Sequence, residues 1–247
     1  MKKFFSILII CAPSIILNYG LSQTIKEVKI GNQVWMAENL HVFYFRNGDP
    51  VPLAKTPQEW GEAGRNKQPA CCYYENDMVN GKKFGLLYNW YAVADSRGLA
   101  PKGWHVANDD EWTSLTVYLG GDSIAGSKLK SSSGWESYLT EISCPVCKNW
   151  TPQQKAGQTC KTCGDTRKIK EKVSGNGTNS SGFDGLPGGF CTEGLFHSIG
   201  LAGNWWCLNE VEGSSKEWIR FLYYEFDKTY RGLDRKEIGY SVRCIKD

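Results

Sequence analysis

Polar and apolar positions alternate twice near the start of the chain, in KEVKI (Lys26–Ile30) and QVWMAE (Gln33–Glu38), with Gly31-Asn32 between them. Strict alternation marks strands with one buried face, and a two-residue Gly-Asn turn joins such strands as a hairpin. The period lengthens over LLYNWYAVADS (Leu86–Ser96), where Leu87, Trp90, Tyr91 and Ala94 recur at helical spacing and Gly98 follows, which predicts a helix. A better-marked helix is predicted over NDDEWTSLTVYLGG. Asn108 is its cap, Glu111 the reciprocal capping acid, and Asp109 and Asp110 suit the positive end of the helix dipole. Trp112, Leu115 and Leu119 form its buried stripe, and Gly120 ends it. From Gly121 to Ser143 neither period holds, and SGNGTNSSG (Ser174–Gly182) consists of loop residues. Short strands follow in GNWWCLNE, EWIRFLYYEF and GYSVRCIKD. Arg220 and Arg243, inside those strands, are expected to point to solvent. No internal repeat stands out. The pattern reads as α+β: a hairpin, two helices, then a loop-rich β part.

The first residues read differently. Lys2 and Lys3 precede an apolar run from Phe4 to Leu17, and small residues stand at Gly20 and Ser22. This is the pattern of a secretory signal, residues 1–22, cleaved near Ser22–Gln23. An uncleaved anchor would need a longer apolar run, and Cys11 lacks the small preceding residue that lipid attachment requires. The remaining residues, 23–247, suffice for one large domain, secreted, periplasmic or at the cell surface, with no transmembrane segment. Ten Trp, twelve Tyr and 27 Gly point to a loop-rich fold built round aromatic side chains. The formal charge of +3 falls to +1 without Lys2 and Lys3, so global charge excludes no partner class. The one local excess lies between Cys144 and Lys172, with seven Lys/Arg against two Asp/Glu.

That segment also carries the strongest chemical motif. CPVCKNWTPQQKAGQTCKTCG holds two Cys-x-x-Cys pairs twelve residues apart. Each pair forms a knuckle that aims two thiolates at one ion, and two knuckles complete a tetrahedral shell. Gly164 suits the tight turn after Cys163, and Pro145 stiffens the first knuckle. The stretch has too few apolar residues to order itself without a cross-link. Two readings stand: structural Zn2+ on Cys144, Cys147, Cys160 and Cys163, or two disulfides between the pairs, which an oxidising compartment would favour. Bridges between the pairs would also order the segment, whereas a bridge within either pair would leave the knuckles unlinked; of the two readings zinc is preferred.

Five blocks together resemble the Fibrobacter succinogenes major paralogous domain family: KIGNQVWMAENL (Lys29–Leu40), FGLLYNWYAVADSRGLAPKGWHVANDDEWTSL (Phe84–Leu115), GFDGLPGGF (Gly182–Phe190), GNWWCLNE (Gly203–Glu210) and GYSVRCIKD (Gly239–Asp247). They run in the family's order and span most of the chain from about Val28. The resemblance implies bacterial export and a C-type lectin-like fold, with two helices, a twisted antiparallel sheet and a long irregular loop region. It implies no general enzymatic activity. Typical relatives join the helices to the GF…LPGG block by a short link, so residues 140–181 are expected to be an insertion in the irregular half of a single domain, 23–247.

The remaining candidates are weighed against that framework. Calcium-dependent sugar sites in lectin-like folds use Glu-Pro-Asn or Gln-Pro-Asp followed by Trp-Asn-Asp; here Gln68-Pro69 precedes Ala70 and lies before both helices, so calcium is not expected. Trp35, Trp60, Trp90, Trp104, Trp112, Trp205 and Trp206 fall mostly in framework blocks and are expected in the core, whereas Trp135, Trp150 and Trp218 are freer to be at the surface. Trp150, Asn209 and Glu210 are the candidate ligand contacts. Cys207 and Cys244, on strands expected to be neighbours, are a candidate disulfide. Their context and that of Cys191 do not match the cysteine pair of the oxidases that share a related fold, and His41, His105 and His197 are scattered, so no catalytic residue is assigned. A basic zinc ribbon would ordinarily suggest nucleic acid; export argues against it and favours a glycan or protein, in particular an anionic one, at the cell surface. The expected function is an exported, non-catalytic binding or adhesion module, the alternatives being an enzyme using the loop region and a structural surface-layer component.

Overall fold

The last strand of the chain lies between the first hairpin and a strand from the middle, so residues more than 200 positions apart close one sheet. The computed structural model describes residues 25–209 and 211–247; the signal reading falls on residues outside these. Among the described residues the chain forms β1 (Glu27–Ile30), β2 (Gln33–Met36), α1 (Pro57–Arg65), β3 (Cys71–Cys72), α2 (Met78–Phe84), β4 (Leu87–Tyr88), α3 (Trp90–Val93), β5 (Trp104–Val106), α4 (Asp109–Tyr118) and α5 (Asp122–Leu129). Then follow β6 (Ser137–Ser143), α6 (Pro152–Gly157), β7 (Lys168–Ser174), β8 (Gly188–Thr192), β9 (Leu195–Ile199), β10 (Ala202–Trp206), β11 (Lys216–Tyr223), β12 (Thr229–Arg235) and β13 (Cys244–Lys246). Four strands pair in the order β1-β2-β13-β5 and five in the order β12-β11-β10-β8-β9; β3-β4 and β6-β7 are separate two-stranded ribbons. The class is α+β with mostly antiparallel pairing, as expected. None of the described helices is long and apolar enough to cross a membrane.

Two aromatic clusters fill the interior. One gathers Tyr88, Trp90, Trp104, Trp206 and Tyr240. The other gathers Trp35, Trp112, Phe183 and Trp205, whose rings meet mostly edge to face at 5.2–5.8 Å between centroids. That geometry matches the positive edge of one ring to the negative face of the next. All seven framework tryptophans are buried as expected. Trp135 is buried too, against expectation, because its indole N–H donates to Ser131 Oγ and the Gly185 carbonyl under the base of the β6-β7 ribbon.

The β1-β2 hairpin and α4 form as the sequence predicts, with the reciprocal Asn108–Glu111 capping box in place. The helix expected over Leu86–Ser96 shrinks to the single turn α3. Tyr88 exchanges backbone hydrogen bonds with Tyr240, which needs extended backbone, and Asn89 then caps α3 by accepting from the Ala92 N–H. Six helices form among the described residues instead of two. α1 carries its own capping box, Thr56 with Glu59. α5 has a weak apolar period because it packs through small residues: a Cβ on Gly126 would sit 2.6 Å from the Lys228 carbonyl, so only glycine allows helix and β12 connection to approach.

Both strand arginines are buried, correcting the solvent-facing expectation. Arg220 binds Asp109, which also pairs with Arg231. Arg243 donates to the Asn39 amide oxygen and to the carbonyls of Met36 and Phe183. A buried guanidinium is tolerated only where most of its donors are satisfied, and tertiary neighbours supply the acceptors here.

Candidate metal centre

The β6-β7 ribbon is the support of the cysteine motif. Its strands pair in register from Ser137↔Ser174 to Ser143↔Lys168, and the four cysteines sit at its far end. On one face, the half-buried Tyr138 packs edge-on against Tyr224, and Ile169 packs against the cysteines. The other face carries Lys168, Lys170 and Lys172 with Leu139 and Glu141, all exposed. The ribbon therefore spans residues 137–174, close to the expected insertion. Residues 175–181 instead run back along the main body, with Gly177, Thr178, Asn179 and Ser181 donating to carbonyls of Ser127 to Ser131.

The two knuckles have equivalent backbone hydrogen bonds sixteen residues apart. Lys148 N–H donates to the Cys144 carbonyl and Gly164 N–H to the Cys160 carbonyl, each at 2.9 Å. Trp150 N–H donates to Cys147 and Thr166 N–H to Cys163. The second turn differs in having positive φ at Gly164 and Asp165. The facing of the two turns brings four buried sulfurs within 4.8 Å of one another, and Cys144–Cys160 and Cys147–Cys163 are 3.7 and 3.6 Å apart. Four sulfurs about 2.3 Å from one tetrahedral ion stand roughly 3.8 Å apart, whereas bonded sulfurs stand about 2 Å apart. The donor set thus fits a metal ion. Burial raises the Cys160 thiol, but N–H groups of Cys163 and Thr162 and the neighbouring thiols outweigh it and hold Cys160 down to about 6. Burial pushes Cys147 up to about 12 despite a lowering contact from Arg167.

The side chains around the sulfurs were not legible as a group in the sequence. Asp165 Oδ1 accepts from the Cys160 N–H at 2.7 Å. Arg167 lies over the Trp150 ring, 5.3 Å from its centroid. Trp150 is consequently half-buried against the cysteine cluster. Asn209 lies away from the ribbon, where its amide oxygen accepts from the Asp109 N–H at the start of α4; Glu210 is outside the described residues. Cys207 and Cys244 are free thiols in separate aromatic clusters, which corrects the candidate disulfide. Their strands belong to different sheets: Cys207 follows β10 and bonds to Trp218 of β11, whereas Cys244 pairs with Val106 of β5. Cys71, Cys72 and Cys191 are also free and buried.

A domain of two sheets with aromatic clusters between its elements, carrying a four-cysteine centre on a projecting ribbon, is the class these features define. The pattern of the Fibrobacter succinogenes major domain matches residues 28–246, and the chain belongs to that family. No curated protein and no solved structure matches it.

Proposed function

We propose that the protein is an exported, non-catalytic recognition module, with a C-type lectin-like body, whose ribbon is ordered by Zn2+ and binds an anionic polymer at the cell surface. The observation that carries this reading is the outer face of the ribbon. Lys168, Lys170 and Lys172 alternate with Ile169, Glu171 and Val173, so all three lysines share one face, spaced by two strand residues or ~6.8 Å, and Glu171 lies on the other face. Glu141 pairs with Lys168 at 3.1 Å, while Lys170 and Lys172 have no ion-pair partner among the described residues. Exposed Leu139 lies opposite Lys172 in the ribbon and adds an aliphatic contact.

A row of cations on an exposed ribbon attracts a linear polyanion, and salt screens that attraction. Zinc suits the centre because four thiolates in a closed tetrahedral shell are its usual structural site. The test is retention of the protein on an immobilised polyuronate compared with a neutral glucan. Retention on the polyuronate that falls with added salt and is lost in a K168Q/K170Q/K172Q variant supports the reading. Equal retention of variant and parent refutes it.

A further inference from the structure

Arg167 is half-buried, with its Nη1 covered. Its φ is +63°, a left-handed conformation that a long side chain adopts only when its surroundings hold it there. Its carbonyl accepts the Cys144 N–H at 2.8 Å, so the same residue anchors the first knuckle. Its Nη2 donates to the Lys155 carbonyl at 2.9 Å, and its plane covers Trp150. Its Nη1 is buried and has no hydrogen-bonded partner among the described residues, the Asp165 carboxylate being 3.6 Å away. A buried guanidinium N–H without an acceptor is costly, so a neighbouring charge ought to account for it. The Cys147 sulfur of the facing knuckle raises the Arg167 guanidinium, and Trp150, which Arg167 covers, packs against the cysteine cluster.

We infer that Arg167 is the positioning counter-cation of the metal centre, its unpartnered Nη1 available to a sulfur of a four-thiolate shell. The inference rests on the zinc reading above and adds to it. Four thiolates and one divalent ion leave a net charge of −2 within a nearly dry cluster. Such a charge is poorly tolerated unless it is partly neutralised and hydrogen-bonded. One guanidinium halves it and supplies a donor to a sulfur lone pair. Groups that bond to metal ligands in this way tune affinity by about 10–100-fold. The orphaned Nη1 is thus explained by the thiolate charge that metal binding creates.

The experiment uses the full chain and Co2+ as a spectroscopic probe, with Zn2+ competition for affinity. The parent should bind one Co2+ with a tetrahedral sulfur-to-cobalt charge-transfer band. R167Q should bind Co2+ and Zn2+ about tenfold more weakly, with the band moved to lower energy because the thiolate lone pairs lose a neighbouring cationic donor. R167K, which keeps the charge, should recover most of the affinity. A purely structural role, through the Lys155 carbonyl and Trp150, would leave the band energy of bound Co2+ unchanged. An R167Q protein with parental affinity and band position overturns this inference alone. A parent chain that takes up no metal overturns the zinc reading and the inference together.

Discussion

The amide oxygen of Asn39 accepts two hydrogen bonds from Arg243, from Nε at 3.1 Å and Nη2 at 2.9 Å, although 204 residues separate them. The same oxygen accepts from the Trp205 indole at 2.8 Å, and the Asn39 amide nitrogen donates to the Phe84 carbonyl. One asparagine therefore joins the first sheet, the second sheet and the end of α2. Burial lowers the Arg243 guanidinium to about 9.

Asn39→Ala should destabilise the protein by about 3 kcal/mol, because it leaves a guanidinium and an indole N–H without their acceptor in the interior. Urea denaturation monitored by tryptophan fluorescence measures this. A loss under about 0.5 kcal/mol would place the Asn39 network outside the energetics of the fold.

Trp112 anchors α4 against Trp35, Phe183 and Trp205, yet its indole N–H is buried without a partner among the described residues. Trp112→Ala should cost about 3–5 kcal/mol. Trp112→Phe should cost much less, about 1 kcal/mol, since it removes the unsatisfied donor while keeping an aromatic ring. Asn108→Ala, which removes only the cap of α4, should cost about 1 kcal/mol. Thermal or urea unfolding should separate Trp112→Ala, the most destabilised, from the other two variants.

His105 links the C-terminus to α4, with Nε2 2.7 Å from Glu111 and Nδ1 2.8 Å from Asp247. Partial burial lowers its pKa, but the two carboxylates outweigh that and raise it overall. A raised folded-state pKa means that protonated His105 stabilises the fold fully below its unfolded value near 6.5 and that this contribution is lost as pH rises through the folded value. His41 shifts the opposite way, lowered by burial. The difference in stability between the parent and His105→Gln isolates the first effect: it should be larger at pH 5.5 than at pH 8.5. A difference independent of pH would exclude the ion pairs.

The ribbon and the body should separate in two deletion variants. Ser137 and Ser174 are paired across the base of the ribbon, so replacing residues 138–173 with a short Gly/Ser link should leave the main melting transition intact. Extending the deletion through Ser181 should lower it, because residues 175–181 dock against α5. If the two deletions melt alike, the docked segment contributes nothing. A chelator should make Lys155, in the exposed α6, susceptible to trypsin while the body stays resistant; cleavage unaffected by the chelator would argue that metal does not order the ribbon.

Much of the local structure was legible along the chain. The β1-β2 hairpin, α4 with its cap, and the cysteine pairs are written in near-neighbour patterns: alternation, side chain to backbone reach, and a four-residue knuckle. The lysine face was equally present in the alternation of KIKEKVS and needed only the recognition that this stretch is a strand. The sequence by itself thus determined the family, the α+β class, which tryptophans of the framework blocks are buried, and the four sulfurs that gather. Only the tertiary structure decided where the strand arginines point, that Trp135 is covered, that Cys207 and Cys244 lie in different clusters, and that Arg167 lies over Trp150 beside the cysteines. Those outcomes depend on acceptors and packing surfaces brought from distant segments, such as Asn39 for Arg243 and Asp109 for Arg220. Pattern along the chain reports the preference of a residue for its near neighbours; the partner that makes a buried charge tolerable is supplied by the fold.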